Sequence, residues 1–188
     1  MMKIIGVTGG TGGGKTTITK IMESYGAHVV DADVVARKVV EPKSPALLEI
    51  AAEWDVVSGG VLDRKSLAKI VFSNKEELHK LNTIVHKYVI EEIKKAIVQC
   101  EAEFFVIDAI ALIESGLSSM CDVTVAVIAD KDVRLERIMA RDNLTEKEAL
   151  MRINAQKSDS FYIENCDFVI YNNNGVDEKE IGRIIKGS

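Results

Sequence analysis

The stretch TGGTGGGKTT, Thr8 to Thr17, governs how the rest of the chain is read. It follows Ile4-Ile5-Gly6-Val7, a short apolar run of the kind that forms a strand buried on both faces. It leads into Thr16–Ser24, where Ile18, Ile21 and Met22 recur at helical spacing before Gly26 supplies a stop. Gly9 to Thr16 satisfies G-x-x-x-x-G-K-[ST] between a strand and a helix. A plain connecting turn needs one or two glycines, whereas five lie within Gly9–Gly14. In a regular element each glycine costs roughly 0.5–1 kcal/mol relative to alanine.

Three effects offset that cost. Glycine admits positive φ, so the amides of Gly10, Thr11, Gly12, Gly13 and Gly14 can curl into an anion nest. A helix starting near Lys15, with Thr17 in its first turn, points its positive end at the same spot. Lys15 adds a mobile charge for the outer phosphates, and the Thr16 hydroxyl is the expected protein ligand to Mg²⁺. A triphosphate uses all three, so a nucleotide with Mg²⁺ is the expected ligand.

Outward from the loop, His28-Val29-Val30 reads as a second strand ending at Asp31, and Asp33 as the cap of a helix to about Val40. Ser44-Pro45 reads as a helix start. Gly59-Gly60 marks a turn, and Asp63 caps Arg64–Phe72. Asn74 with Glu77 resembles a capping box opening a long helix. The apolar stripe of that helix is Leu78, Leu81, Val85, Tyr88, Ile93 and Ile97. Three further strands follow at Phe104–Ile107, Val123–Ile128 and Phe168–Tyr171. Two helices are expected between the last two, Asp132–Arg141 and one beginning at Thr145 with Glu148 as its capping partner. Asp177 and Glu180 open a final helix to Lys186. Strands alternating with helices imply an α/β fold with a parallel sheet covered on both faces.

Composition narrows the partners. The chain has 188 residues and a formal net charge of -5, so a basic nucleic-acid binder is disfavoured. Cys100, Cys121 and Cys166 form no CxxC pair, which argues against zinc and a disulfide framework and for reduced, mostly buried thiols. The apolar stretch Phe104–Ile113 is interrupted by Asp108 and is too short to span a bilayer. With the glycine loop so near the first residue there is no room for a signal peptide. These features point to a soluble cytoplasmic protein acting on small molecules, a monomer or weak homo-oligomer.

Ligands of such sheets sit beyond the carboxyl ends of the strands. Asp31, Asp33 and Asp108 are expected there. Asp33 can accept a proton from an attacking hydroxyl or hold it in line, but it also reads as a helix cap; Asp31 also reads as a strand-end turn residue. Asp108 closes the apolar-run-then-acid pattern FFVID. Arg137 and Arg141 share a helix face and suit a migrating phosphoryl group, or a solvated face paired with glutamates. The amides of Asn172–Asn174 can read a base edge or make turns. His79 and His86 lack carboxylate companions for a metal, and His86 reads as a contact to substrate phosphate or, by pattern alone, as a helix-surface or satisfied buried histidine.

Taken together these motifs resemble the dephospho-CoA kinase family. The similarity runs through the loop Thr8–Thr16 and the D-A-D-x-x-A-R stretch Asp31-Ala32-Asp33-Val34-Val35-Ala36-Arg37. It continues through VVEPKSPAL and LDRKSLAKIVF, through ERIMARDNLTEKEALMRINAQ with Arg137, Arg141, Arg152 and Gln156 in register, and through DFVIYNNNG. Gly13 stands where the family commonly has serine, and Lys87 where proline is usual. Asp108–Gly116 resembles D-x-P-L-L-F-E-x-G without its proline, one leucine and the phenylalanine.

The resemblance implies a P-loop NTPase three-layer sandwich with a five-stranded parallel sheet. A single kinase domain is expected, with core 1–40, 101–136 and 159–188, a helical acceptor-binding insertion at about 41–100 and a lid at about 137–158. The implied reaction moves the ATP γ-phosphoryl group to the ribose 3′-hydroxyl of dephospho-CoA, with Asp33 as base or hydroxyl orienter and Lys15 and Arg141 stabilising transferring charge. Thr8, Asp31, Arg37, His86 and Asp108 are the other expected acceptor-side residues, and Arg137 and Asn173 join the loop on ATP. A kinase of a nucleoside or another small hydroxyl compound, and an inactive nucleotide-binding regulatory module, are the alternatives.

Overall fold

The computed structural model describes residues 2–187. Two compact units emerge: one comprises the chain up to Val30 and from Cys100 onward, the other is Asp31–Gln99.

In the first unit β1 (Lys3–Thr8) is the central strand. It pairs in parallel with β5 (Phe104–Asp108) on one side and β6 (Val123–Ile128) on the other, with Ile5 opposite Val106 and Val123. β7 (Phe168–Tyr171) extends the sheet beyond β6, and β2 (His28–Asp31) lies beyond β5, giving the order β2-β5-β1-β6-β7. β6 is buried along its whole length, as expected of a strand covered on both faces. On one face Ile5, Val7, Val125 and Val127 pack against Ile18 and Met22 of α1 (Lys15–Ser24) and Ile181 and Ile185 of α9 (Glu178–Lys186). On the other, Ala126 and Ile128 pack against Tyr162 of α8 (Asp159–Asn165). The parallel α/β architecture read from the sequence is therefore present.

Three helices, not two, separate β6 from β7: α6 (Lys131–Asp142), α7 (Glu146–Asn154) and α8. At seven residues α8 is too short for periodicity to reveal, and its cap, Ser158 accepting from the Phe161 amide, stands alone as a signal. α6 and α7 pack on each other through Ile138, Ala149 and Ile153, with Leu135, Met139 and Leu144 around them. The expected capping box forms at Thr145 and Glu148. All three cysteines are unpaired and half-buried. Burial pushes the Cys121 thiol up to about 12 and raises that of Cys166, which keeps both protonated.

The second unit contains α2 (Ala32–Lys38), α3 (Pro45–Glu53), α4 (Arg64–Ser73) and α5 (Lys75–Gln99), with α2, α3 and α4 all packed on α5. Val89 and Ile93 of α5 are buried with Ala46, Leu47 and Ile50 of α3 and Leu67 and Val71 of α4. Gly59-Gly60 turns a two-residue-per-strand hairpin, β3 (Val57–Ser58) with β4 (Val61–Leu62). Both glycines have positive φ, which two-residue hairpin loops require. Two expected caps differ. Asp31, not Asp33, caps α2, accepting from the amides of Asp33 at 2.8 Å and Val34 at 3.0 Å. Asn74 accepts from the Glu76 amide, but Glu77 does not complete a box; its Oε2 takes the Trp54 indole N–H at 2.6 Å. A half-buried carboxylate gains more from a buried indole donor than from an exposed amide.

Candidate active site

The loop between β1 and α1 has the geometry the glycines foretell. Gly9, Gly12 and Gly14 have φ of 134°, 79° and 94°, and Gly14 is the left-handed cap of α1. An ideal Cβ on Gly9 would stand 2.2 Å from the Val127 carbonyl oxygen, and one on Gly14 2.0 Å from Asn172 Nδ2. Conformation and space both demand glycine at these two positions.

Side chains from elsewhere in the unit fasten the loop's peptides. Asn172 Nδ2 donates to the Gly13 carbonyl at 3.2 Å, and Arg137 Nη1 reaches the Gly12 carbonyl at 3.3 Å. The Thr11 amide donates to Gln156 Oε1 at 2.7 Å. Because the peptides are trans, a carbonyl turned into the protein sends the next N–H the opposite way. Fixing the carbonyls of Gly12 and Gly13 therefore orients the amides of Gly13 and Gly14. Gly13 N–H is used within the loop, on the Gly10 carbonyl at 3.1 Å. Lys15 Nζ folds back onto the Gly9 carbonyl at 2.9 Å, while Thr16 and Thr17 are exposed in the first turn of α1. The sequence offers Asn172 as a base reader or a turn residue; a buried asparagine bracing a distant carbonyl leaves no local pattern.

Asn173 Oδ1 accepts from the Asp130 amide at 2.8 Å, and its carbonyl accepts from Arg137 Nη2 at 3.3 Å. Its side-chain and main-chain oxygens thus tie the segment after β7 to α6. Thr11, also expected at the phosphates, is 7% exposed with its N–H on Gln156, so it braces the loop.

At the carboxyl end of β1, Thr8 is fully buried and its hydroxyl donates to the Ile110 carbonyl at 3.1 Å. Expected as an acceptor-side contact, it props the turn that follows Asp108. Asp108 ends β5, half-buried, in register with Val7. In that turn the retained Leu112 is fully buried, whereas Ile110, Ala111 and Ile113, the replaced positions, are half-buried.

At the end of α6, Arg141 is exposed and makes a paired contact with Asp142, Nε to Oδ1 and Nη2 to Oδ2, both 2.8 Å. Arg152 bonds Asp142 Oδ2 from α7. Hydrogen bonding from Arg141, with the charge of Arg141 and Arg152, holds the Asp142 carboxyl down at about 2.

In the second unit Asp33 is exposed in the first turn of α2. With Asp31 as cap, its carboxylate is not needed to close the helix end. Arg37, also exposed, donates from Nε to the Asp33 carbonyl at 3.2 Å. His86 is half-buried on α5. Next to it, Lys87 Nζ and the Tyr88 hydroxyl both donate to Glu49 Oε1 at 2.7 Å, tying α5 to α3.

No three His, Cys, Asp or Glu side chains gather into a metal cluster among the described residues. Mg²⁺ on a polyphosphate keeps most of its shell from water and phosphate oxygens and needs only one or two hard oxygen donors from protein. The exposed Thr16 hydroxyl beside the loop fits that role.

The dephospho-CoA kinase family model matches residues 3–178. The chain belongs to the dephospho-CoA kinase family. It is 39% identical over 186 residues to the dephospho-CoA kinase of Listeria monocytogenes, covering 96% of this chain and 93% of the relative. With that of Geobacillus kaustophilus the identity is 40% over 185 residues, covering 95% and 92%. Among solved structures, dephospho-CoA kinase from Campylobacter jejuni superposes with a TM-score of 0.68 at 28% identity, covering 100% and 99% of the two chains. Shikimate kinase from Acinetobacter baumannii, 16% identical with a TM-score of 0.59 over 99% and 92%, shares the fold alone. Against the usual pattern of dephospho-CoA kinases, Lys87 in place of proline here makes an ion pair inside the second unit. Gly13 in place of serine has its carbonyl held by Asn172, and a Cβ there would approach the Val127 carbonyl oxygen to 2.8 Å.

Proposed function

We propose that this chain is an ATP-dependent kinase of the ribose 3′-hydroxyl of dephospho-CoA, giving coenzyme A and ADP in the last step of coenzyme A biosynthesis. The observation that carries this reading is an intact phosphate loop, Gly9–Thr16, in a chain that matches the family model from residue 3 to residue 178. The loop amides and the positive end of α1 bind the β- and γ-phosphates. Lys15 and Arg141 balance charge on the transferring oxygens, for which Lys15 exchanges its hold on Gly9 and Arg141 its hold on Asp142. The Thr16 hydroxyl would hold Mg²⁺, which would supply charge neutralisation. Asp33 accepts the proton of the 3′-hydroxyl or holds that oxygen in line. Arg37, His86 and Asp108 orient the acceptor; Asp31 serves through its cap, which sets the first turn that carries Asp33. The insertion holds the acceptor, and α6–α7 close over the nucleotide and exclude water.

No helix among the described residues is long and apolar enough to cross a membrane. The proposed setting is the cytoplasm, with ATP and dephospho-CoA as the only partners required. The test is an ADP-release assay with saturating Mg-ATP and dephospho-CoA, run beside a panel of nucleosides and other small alcohols. Turnover should require dephospho-CoA and fall by about 10²–10⁴-fold in Asp33→Asn. A wild-type protein that ignores dephospho-CoA, or prefers another alcohol, ends this reading.

A further inference from the structure

Arg134 lies in the first turns of α6. It is 4% exposed and lies against the phosphate loop. Its Nε donates to the Thr11 carbonyl at 2.9 Å, and its Nη1 to Asp159 Oδ1 at 2.9 Å. Its Nη2 is buried and has no hydrogen-bond partner among the described residues. The guanidinium lies against Gly10, where an ideal Cβ would stand 2.3 Å from Nη2 and 2.8 Å from Cζ. A Cβ on Gly12 would stand 2.8 Å from the carbonyl oxygen of Arg134 itself. Two loop glycines are therefore required by this arginine before any ligand is considered.

The Thr11 residue is gripped at both ends, its carbonyl by Arg134 and its N–H by Gln156. Since the following peptide is trans, holding the Thr11 carbonyl against Arg134 turns the Gly12 N–H to the opposite side of the loop. The charge is only partly compensated, because Asp159, its ion-pair partner, is 38% exposed and shared with solvent. A cation under a nest of amides raises the potential where an anion binds. A purely structural brace would be better served by a side chain without a third, unsatisfied donor.

We propose that Arg134 is a positioning residue of the phosphate cradle, holding the Thr11 peptide so that the Gly12 amide faces a polyphosphate and adding buried positive charge behind it. The inference rests on the ATP reading of the loop, and its test is binding rather than turnover. Calorimetric titration of the full chain with Mg-ATP and with AMP separates the possibilities. Arg134→Met should weaken ATP by about tenfold while moving AMP by less than about twofold. Arg134→Lys, which keeps the charge, should recover part of the loss. Asp159→Asn keeps the Oδ1 acceptor but removes the opposing charge, so ATP should bind about twofold to fivefold more tightly. ATP affinity unchanged in Arg134→Met, or weakened equally for AMP, overturns the proposal. If Arg134→Met does not fold, Asp159→Asn decides alone: unchanged or weaker ATP binding refutes it. Failure of the wild type to bind ATP would instead remove the nucleotide reading itself.

Discussion

Arg141 holds Asp142 with two nitrogens, and Arg152 holds the same carboxylate from the facing helix. An exposed cluster of this kind adds little stability, but it keeps two guanidinium groups together where α6 meets α7. If Arg141 acts on the transferring group, Arg141→Ala lowers kcat by on the order of 10²-fold and changes ATP affinity less. A raised KM at constant kcat would assign it to uniform binding instead. The clasp also has a defined pH range. The Asp142 carboxyl is depressed to about 2 in the folded protein against an ordinary 3.8, so its contribution is fully present above about 4. It is lost only as pH falls through the folded value. The Asp142 carboxyl resonance should therefore titrate near 2, and the α6–α7 contact should be unchanged between neutral pH and about pH 5. A midpoint near 4 would mean that the ion pairs do not persist in solution.

At the scale of elements, glycines separate into those that serve the backbone and those that serve the site. Gly26 has φ of 88° with nothing within 4 Å of a Cβ, so Gly26→Ala costs only the left-handed conformation, about 1–2 kcal/mol. Gly14 combines φ of 94° with a Cβ position 2.0 Å from Asn172 Nδ2, which holds Gly13. Gly14→Ala should therefore abolish ATP binding while Gly26→Ala lowers the melting temperature and leaves ATP affinity unchanged. Equal affinity losses in both would detach the loop geometry from function. For α7, Thr145→Ala removes the hydroxyl that accepts from the Glu148 amide and leaves the backbone arm of the capping box in place, and should cost about 1 kcal/mol, read as faster amide exchange in the first turn of α7.

For the molecule as a whole, ligand binding to the folded state alone is the clearest probe. Mg-ATP at about 100 times its Kd should stabilise the protein by about 2.7 kcal/mol. For a chain of this size that raises the melting temperature by roughly 5–10 °C. Lys15→Ala should lose most of that rise, whereas Asp33→Asn should keep it while losing turnover. If Asp33→Asn also loses the rise, its effect on activity reflects damaged nucleotide binding and not the acceptor hydroxyl.

Local order was legible in the chain because it depends on neighbours a few residues apart. The five glycines before Lys15, the alternation of apolar strands with helices, the Ser44-Pro45 start and the Thr145–Glu148 box all declare themselves within one window of sequence. The family was legible for the same reason, from contiguous motifs such as Asp31-Ala32-Asp33. What only the folded molecule decided was partner choice across long separations. Glu77 serves Trp54, Thr8 faces inward onto Ile110, Asn172 holds Gly13, and Arg134 holds Thr11 across more than a hundred positions. Those pairings depend on which groups are buried together, and a buried donor takes whatever acceptor the packing brings within reach, regardless of its place in the chain.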